Sequence, residues 1–452
     1  MKKGEVREEG GVACAEAVGA PDVRNVTILD EDSVRRAKNN VRARKTRIIL
    51  CAVLIPVVAF TLFFAIVLNV RSLGVGEGSL DGAYTTVLAD IEGLRDANPR
   101  VIDIAMLGAH DANTSSIKND APLDDSAEGI LKDLIPVSRG FQYRYAVTQA
   151  VSVENLLKQG ARFLHLKYTY FEGNWLVSHS FAGGEIRTDI MQILGFLAQN
   201  PGELLVLLFQ PTYFGDQSYD TFHNWLAGVT LNGKNIYDYV YYDKANVFGY
   251  VDNGGTFAEG ECALDNSRTG THISALRYNT VTDDGNSAGV VLLDRREKKI
   301  DYNHDTPTSE YSDLFYDMDF NAEHEWHNRL GEKALTECIG NTADEIAAGG
   351  EYRTKLRVNQ TQAAFSTETF GDVMRALGAW SLLKFAEKHN AALVENEDFY
   401  EWLRAMPVFQ VDFANSSYGD FNAKVNALIR SYNEQIVALL VEEGATYADI
   451  YR

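Results

Sequence analysis

The chain has 452 residues, with 42 Lys+Arg against 63 Asp+Glu and a net charge of −21, and 46 % of it is hydrophobic. The first 47 residues hold 11 of the basic and 8 of the acidic side chains, so everything beyond them is strongly acidic. That balance excludes nucleic acid as a partner and adhesion to anionic lipid through clustered Lys and Arg.

Residues 1–47 are rich in Gly, Ala and charge. They bury too little apolar surface to offset ordering entropy and read as a disordered tail. Residues 48–70, IILCAVLIPVVAFTLFFAIVLNV, hold no charge and exceed the ~20 apolar residues that a hydrocarbon core requires. Their uniform apolarity leaves no polar face for water, which argues against a buried core helix. A cleaved secretory signal is the competing reading, but its apolar core is typically only ~7–15 residues and rarely follows so long a polar tail. The stretch therefore reads as a transmembrane helix, in which Pro56 is tolerable. Arg35, Arg36, Lys38, Arg42, Arg44, Lys45 and Arg47 precede it and only Arg71 follows closely. The positive-inside rule then predicts a single-pass protein of the cell membrane, with the tail cytoplasmic and the acidic remainder extracellular. Of four cysteines, Cys14 falls in the tail and Cys51 in the apolar stretch. Cys262 and Cys338 either pair in an oxidising compartment or remain two buried thiols, because sequence carries no distance between them.

A juxtamembrane segment, 71–98, leads into one large domain over 99–452. From about residue 101, short apolar runs alternate with amphipathic stretches, the mark of a parallel α/β architecture. Strands are expected at 101–107, 162–168, 175–179, 204–209, 290–293, 356–359 and 408–413, and helices at 152–158, 188–198, 367–388 and 421–442. The run at 204–209, preceded by Asn-Pro-Gly, is almost continuously apolar, as befits a strand covered on both faces. Residues 231–351 mix aromatics, Gly, Asp and Asn with little period and read as an insertion of long loops around one strand. No repeat of 20–50 residues is evident, which argues against a solenoid or propeller.

The chemistry-bearing residues fall at strand ends. After the first strand comes Leu-Gly-Ala-His110-Asp111-Ala-Asn; in a barrel, the loop after a strand's C-terminal end is where sites are built, although a surface-loop histidine reads the same way. In the second strand a period of two puts Phe163, His165 and Lys167 on one face. Ionisable groups on a barrel's inner face cost free energy unless partners or a ligand meet them; the alternative is an edge strand with a wet polar face. The run Trp-Leu-Val-Ser-His179 ends in a second histidine. Paired histidines suit phosphodiester cleavage, where one group takes the nucleophile's proton and another protonates the leaving oxygen. Arg295 and Asp412 end two further strands; the first offers a planar fork for an anion and the second a carboxylate to orient a histidine. His324 and His327, in AEHEWHN, have HExH rather than HExxH spacing and read as solvated or locally paired rather than as zinc ligands.

In this order the motifs resemble the PLC-like phosphodiesterases, specifically the X domain of bacterial-type phosphatidylinositol-specific phospholipase C. LGAHDANT is similar to the loop of that family's first catalytic histidine, LLKQGARFLHLKY to its second strand, LVSHSF to its second histidine, DIMQILGFLAQNPGELLVLLF to its helix, turn and third strand, and VFQVDF to its C-terminal aspartate strand. The resemblance covers most of 101–442 outside the irregular middle. It implies a distorted TIM-type (β/α) barrel cleaving a membrane phospholipid or glycolipid. His110 would be the base that lets a substrate hydroxyl attack phosphorus, with Asp412 orienting it. His179 would be the acid protonating the diacylglycerol oxygen, assisted by Asp111, and Lys167 would stand where the family has arginine, in place of a metal. No cofactor is expected. Arg295, His165 and Gln210 would face the headgroup. The chain departs from the family where His165 replaces an aspartate, where Lys167 replaces a bidentate arginine, and where Gln210 replaces a lysine. Those departures keep two other readings open, a metal-dependent glycerophosphodiesterase or sphingomyelinase type and a catalytically silent barrel that binds a partner.

Overall fold

The computed structural model describes residues 30–70, 83–127, 129–215, 217–240, 273, 276–278, 289–295, 311, 314–324, 326–327, 329, 331–349, 354–364, 381–415 and 421–441. Its first element is helix α1, Glu31–Asn69. Asp30 starts the helix by accepting the Ser33 N–H at 2.6 Å, the role of an N-cap side chain. Glu31 and Asp32 in the first turn suit the helix dipole. The helix thus takes in residues 31–47, which composition alone assigns to a disordered tail; that expectation is corrected over this stretch, since a capped start and continuity with the apolar run supply the order. Twelve large apolar side chains between Ile48 and Ile66 stand exposed, far more than a water-facing surface carries in one patch. It is one helix long and apolar enough to cross a membrane.

The large unit is a nearly closed barrel. In chain order its strands are β1 Met106–Ala109, β2 Ala161–Phe171, β3 Asn174–Ser178, β4 Ala182–Glu185, β5 Leu204–Tyr213, β6 Gly289–Asp294, β7 Phe315–Asp317, β8 Ala322–Glu323, β9 Leu356–Gln360 and β10 Val408–Val411. Eight of them run parallel in the order β7-β6-β5-β2-β1-β10-β9-β8. Helices surround them: α2 Gly129–Ala146, α3 Val153–Lys158, α4 Ile186–Gln199, α5 Tyr219–Ala227, α6 Glu332–Ala348, α7 Leu382–Val394, α8 Phe399–Ala405 and α9 Phe421–Val441. β5 shows why the sheet needs covering on both faces, since its first eight residues are all buried. In α4, Ile186, Ile190, Ile193, Leu194 and Leu197 form the apolar stripe of a helix laid on a core.

Three expectations change. The first strand begins only at Met106, because Val101–Asp103 forms a 3-10 turn. The element at 175–179 is β3, which pairs antiparallel with β2 and β4 as a hairpin outside the barrel path. Two barrel strands, β7 and β8, come from the stretch that reads as loop; at three and two residues they are too short to show a period. The expected helix at 367–388 falls partly outside the described residues, as does Cys262, while Cys338 carries a free thiol.

The lower end of the barrel is held by a buried ion pair. Arg162 Nε donates to Glu203 Oε2 at 2.6 Å, both side chains being almost fully buried. Glu203 Oε1 accepts the backbone N–H groups of Val87, Leu88 and Ala89. Arg162 further donates to the carbonyls of Leu157 and Ala161. The pair therefore pins the chain entering the domain to the start of β2 and β5.

Candidate active site

At the opposite, C-terminal end of the strands the ionisable side chains converge on one carboxylate. Asp111, fully buried, follows β1 and takes φ 43°. Its Oδ1 lies 3.1 Å from His165 Nδ1 and 3.5 Å from His110 Nε2; its Oδ2 lies 3.2 Å from Lys167 Nζ and 3.5 Å from His179 Nε2. Burial alone would raise the carboxyl, but His110, Lys167, His179 and His165 around it hold it well below the usual carboxylate range. Asp111 is therefore the anion at the centre of a basic cradle.

Each basic group is in turn aimed from behind. His110 Nδ1 meets Asp412 Oδ1 at 2.8 Å; since a carboxylate only accepts, Nδ1 is the donor and Nε2 is the atom turned toward Asp111. Burial pushes Asp412 up, and its bond to His110 works against that. His179 Nδ1 donates to the Ala146 carbonyl at 2.6 Å. Burial and the Lys167 ammonium outweigh the attraction of Asp111, and His179 is lowered to about 4. His165 is held well below its usual value, first by burial and then by Lys167 against the pull of Asp111. His165 Nε2 donates to Gln210 Oε1 at 2.7 Å, which leaves Nδ1 of the neutral ring as the atom that faces Asp111.

Local backbone explains how these side chains reach one place. Gly108 lies where a Cβ would come within 3.0 Å of Gln410 Cα and 3.3 Å of Phe163, so glycine permits the close approach of β1 to β10 that brings His110 beside Asp412. Asp111, Ser180 and Phe413 have φ of 43°, 63° and 49°. They immediately follow His110, His179 and Asp412, and a bulky residue in this region stores strain of order 1–3 kcal/mol that surrounding structure must hold. Phe413 is held by burial against Leu382, Leu383 and Ala386.

The expected site residues sort as follows. His110, Asp111, His165, Lys167, His179, Gln210 and Asp412 come together. Arg295 follows β6, its N–H donating to Phe209 O at 2.9 Å, which places its backbone level with Gln210. His324 meets Gln360 and Asp319. Supporting residues that carry no sequence signal are Gln149, which donates to the His110 and Val411 carbonyls, Asn113, which donates to Lys167 O, and Asn390, which donates to Asp412 O. Ordinary amides in loops look alike before their partners are known.

Among the described residues, His110, Asp111 and His165 also bring one ligand atom each within 4.8 Å of one another. Two neutral imidazoles and a carboxylate suit a divalent transition metal. The Lys167 ammonium on the same carboxylate opposes a second cation there.

No family model matches the chain, and no curated protein does. Solved structures do match. The chain is similar to the phosphatidylinositol-specific phospholipase C from Listeria monocytogenes at 15 % identity, over 74 % of this chain and 94 % of that one, with a TM-score of 0.46. It is also similar to two variants of the Staphylococcus aureus phosphatidylinositol-specific phospholipase C, at 12 % identity over 74 % and 93 % with a TM-score of 0.45, and at 14 % over 77 % and 98 % with a TM-score of 0.46. At these identities the likeness is one of fold.

Proposed function

We propose that this protein is a membrane-anchored phosphoric diester hydrolase that cleaves a phospholipid or glycolipid of the phosphatidylinositol type by acid–base chemistry, with the catalytic domain outside the cell. The reading rests on one observation: His110 Nε2 and His179 Nε2 meet the two oxygens of the same buried Asp111, with Lys167 Nζ beside them. His110, its Nδ1–H fixed by Asp412, removes a proton from the substrate hydroxyl next to the phosphate. That oxygen attacks phosphorus, and the lipid alkoxide leaves with a proton from His179, giving a cyclic phosphate. Lys167 offsets charge on the phosphoryl oxygens as a point charge. His179 is neutral in the free protein, so the phosphate anion, by countering Lys167, must favour its protonation before it can act as acid. Arg295, His165 and Gln210 line the headgroup side.

Purified full chain in lipid nanodiscs is assayed on phosphatidylinositol, sphingomyelin and a glycerophosphodiester, with and without chelator, beside His110→Ala. The expected result is chelator-resistant hydrolysis of phosphatidylinositol that falls by about 10²–10⁴ in the variant. Absence of hydrolysis on every substrate, or an unaffected variant, overturns the reading. The His110–Asp111–His165 grouping favours a metal-dependent enzyme as the second reading; activity abolished by chelator and restored by a divalent ion would select it.

A further inference from the structure

Away from the cradle, a cavity of about 380 Å³ opens between the Thr114–Ser116 turn, the residues leading into α3 and the first turns of α4. That volume is ordinary for a small-molecule site. Its wall includes Asp189, in the first turn of α4 and only 5 % exposed, whose Oδ2 is buried without a hydrogen-bond partner. Burial alone pushes this carboxyl well above the usual range. A native fold rarely leaves such a group unmet: alone, burial favours the neutral acid, and a cation or strong donor placed beside it restores the carboxylate.

The remaining lining is rich in hydroxyls and amides. Ser115, Ser152 and Thr188 contribute hydroxyls. Gln192 has its Oε1 engaged by the Glu154 N–H at 2.9 Å, which leaves its NH2 as a donor. Lys118 and Glu185 are exposed and bring charges of both signs to the same lining, so the net demand for a cation comes from the interior carboxylate. We propose that this cavity is a binding site for a small polyhydroxylated amine, whose ammonium meets Asp189 and whose hydroxyls meet Ser115, Thr188 and Gln192. It is separate from the cradle, and chain neighbours of its lining lead there: Thr114, before the cavity's Ser115, donates its hydroxyl to Asp111 O, and Gln149, before the cavity's Ala150, donates to the His110 carbonyl.

The proposal is tested by saturation-transfer NMR on the detergent-solubilised full chain, with glucosamine as probe and glucose as the neutral control of the same shape. Glucosamine is expected to bind at least tenfold more tightly than glucose, and Asp189→Asn to erase that preference. Because Asp189 lacks a partner at Oδ2, this substitution should leave unfolding unchanged, which a melting curve checks. Gln192→Ala is expected to weaken both sugars alike and to keep the preference for the amine. Methyl glucosaminide separates the two possible sources: binding of both forms supports a glycan-borne occupant, and binding of the free sugar alone supports a free one. Equal binding of glucose and glucosamine, an unchanged preference in Asp189→Asn, or no saturable binding of either sugar overturns the proposal. None of these readouts depends on hydrolysis.

Discussion

Replacing Asp111 by asparagine removes the one anion at the centre of the cradle while nearly keeping its shape. Unit charges at the Lys167–Asp111 distance of 3.2 Å attract by about 5 kcal/mol at an effective dielectric of about 20, against several kcal/mol for desolvating the carboxylate. Lys167 keeps 17 % of its side chain exposed to solvent, so the loss should fall at the low end of that for breaking a buried pair, about 3 kcal/mol. Urea unfolding of the full chain in detergent, followed by tryptophan fluorescence, measures it. Because the folded pKa of Asp111 is depressed, its contribution is present above the ordinary carboxylate pKa and is lost only as pH falls through the depressed value. The gap between wild type and variant should therefore be as large at pH 5 as at pH 7. A gap under about 1 kcal/mol at pH 7, or one that closes between pH 6 and 5, would refute the hub assigned to Asp111.

His179 should titrate near about 4 in the free protein, read from its imidazole NMR signals, and Lys167→Met should move that midpoint upward because the ammonium is one of the groups lowering it. Its folded pKa lies below the ordinary histidine value, so the neutral form favours folding at neutral pH and that advantage fades as pH falls toward 4. Glu203→Gln should cost about 3–5 kcal/mol by leaving Arg162 buried without its anion. The loss should be partly recovered in the double variant with Arg162→Met, which a double-mutant cycle in urea checks; strict additivity would deny the pairing.

The parts of this fold legible in sequence are those with a period or a long apolar run. β2, β5 and β10 announce themselves in this way, and the alternation in β2 correctly sets His165 and Lys167 on one face. β7 and β8 do not, since three and two residues carry no repeat. Within the site, His110, His179 and Asp412 are readable because each ends an apolar run. The centrality of Asp111 is not, because it depends on a left-handed backbone and on four side chains from three segments. Arg162 and Glu203 carry no functional expectation from sequence. They belong to the motifs that carry the family resemblance, yet they lie at the end of the barrel away from the chemistry and act as a clamp.

The neutrality of His165 and His179 also has a thermodynamic consequence. Of the four side chains that meet Asp111 only Lys167 is not a histidine, and a phosphodiester bound as proposed would find it already committed to that carboxylate. Under the proposed function, positive charge beyond Lys167 and Arg295 would have to be drawn from solvent as protons on the imidazoles. Ligand capture is then coupled to proton uptake, and its measured heat carries the ionisation enthalpy of whichever buffer surrenders the proton.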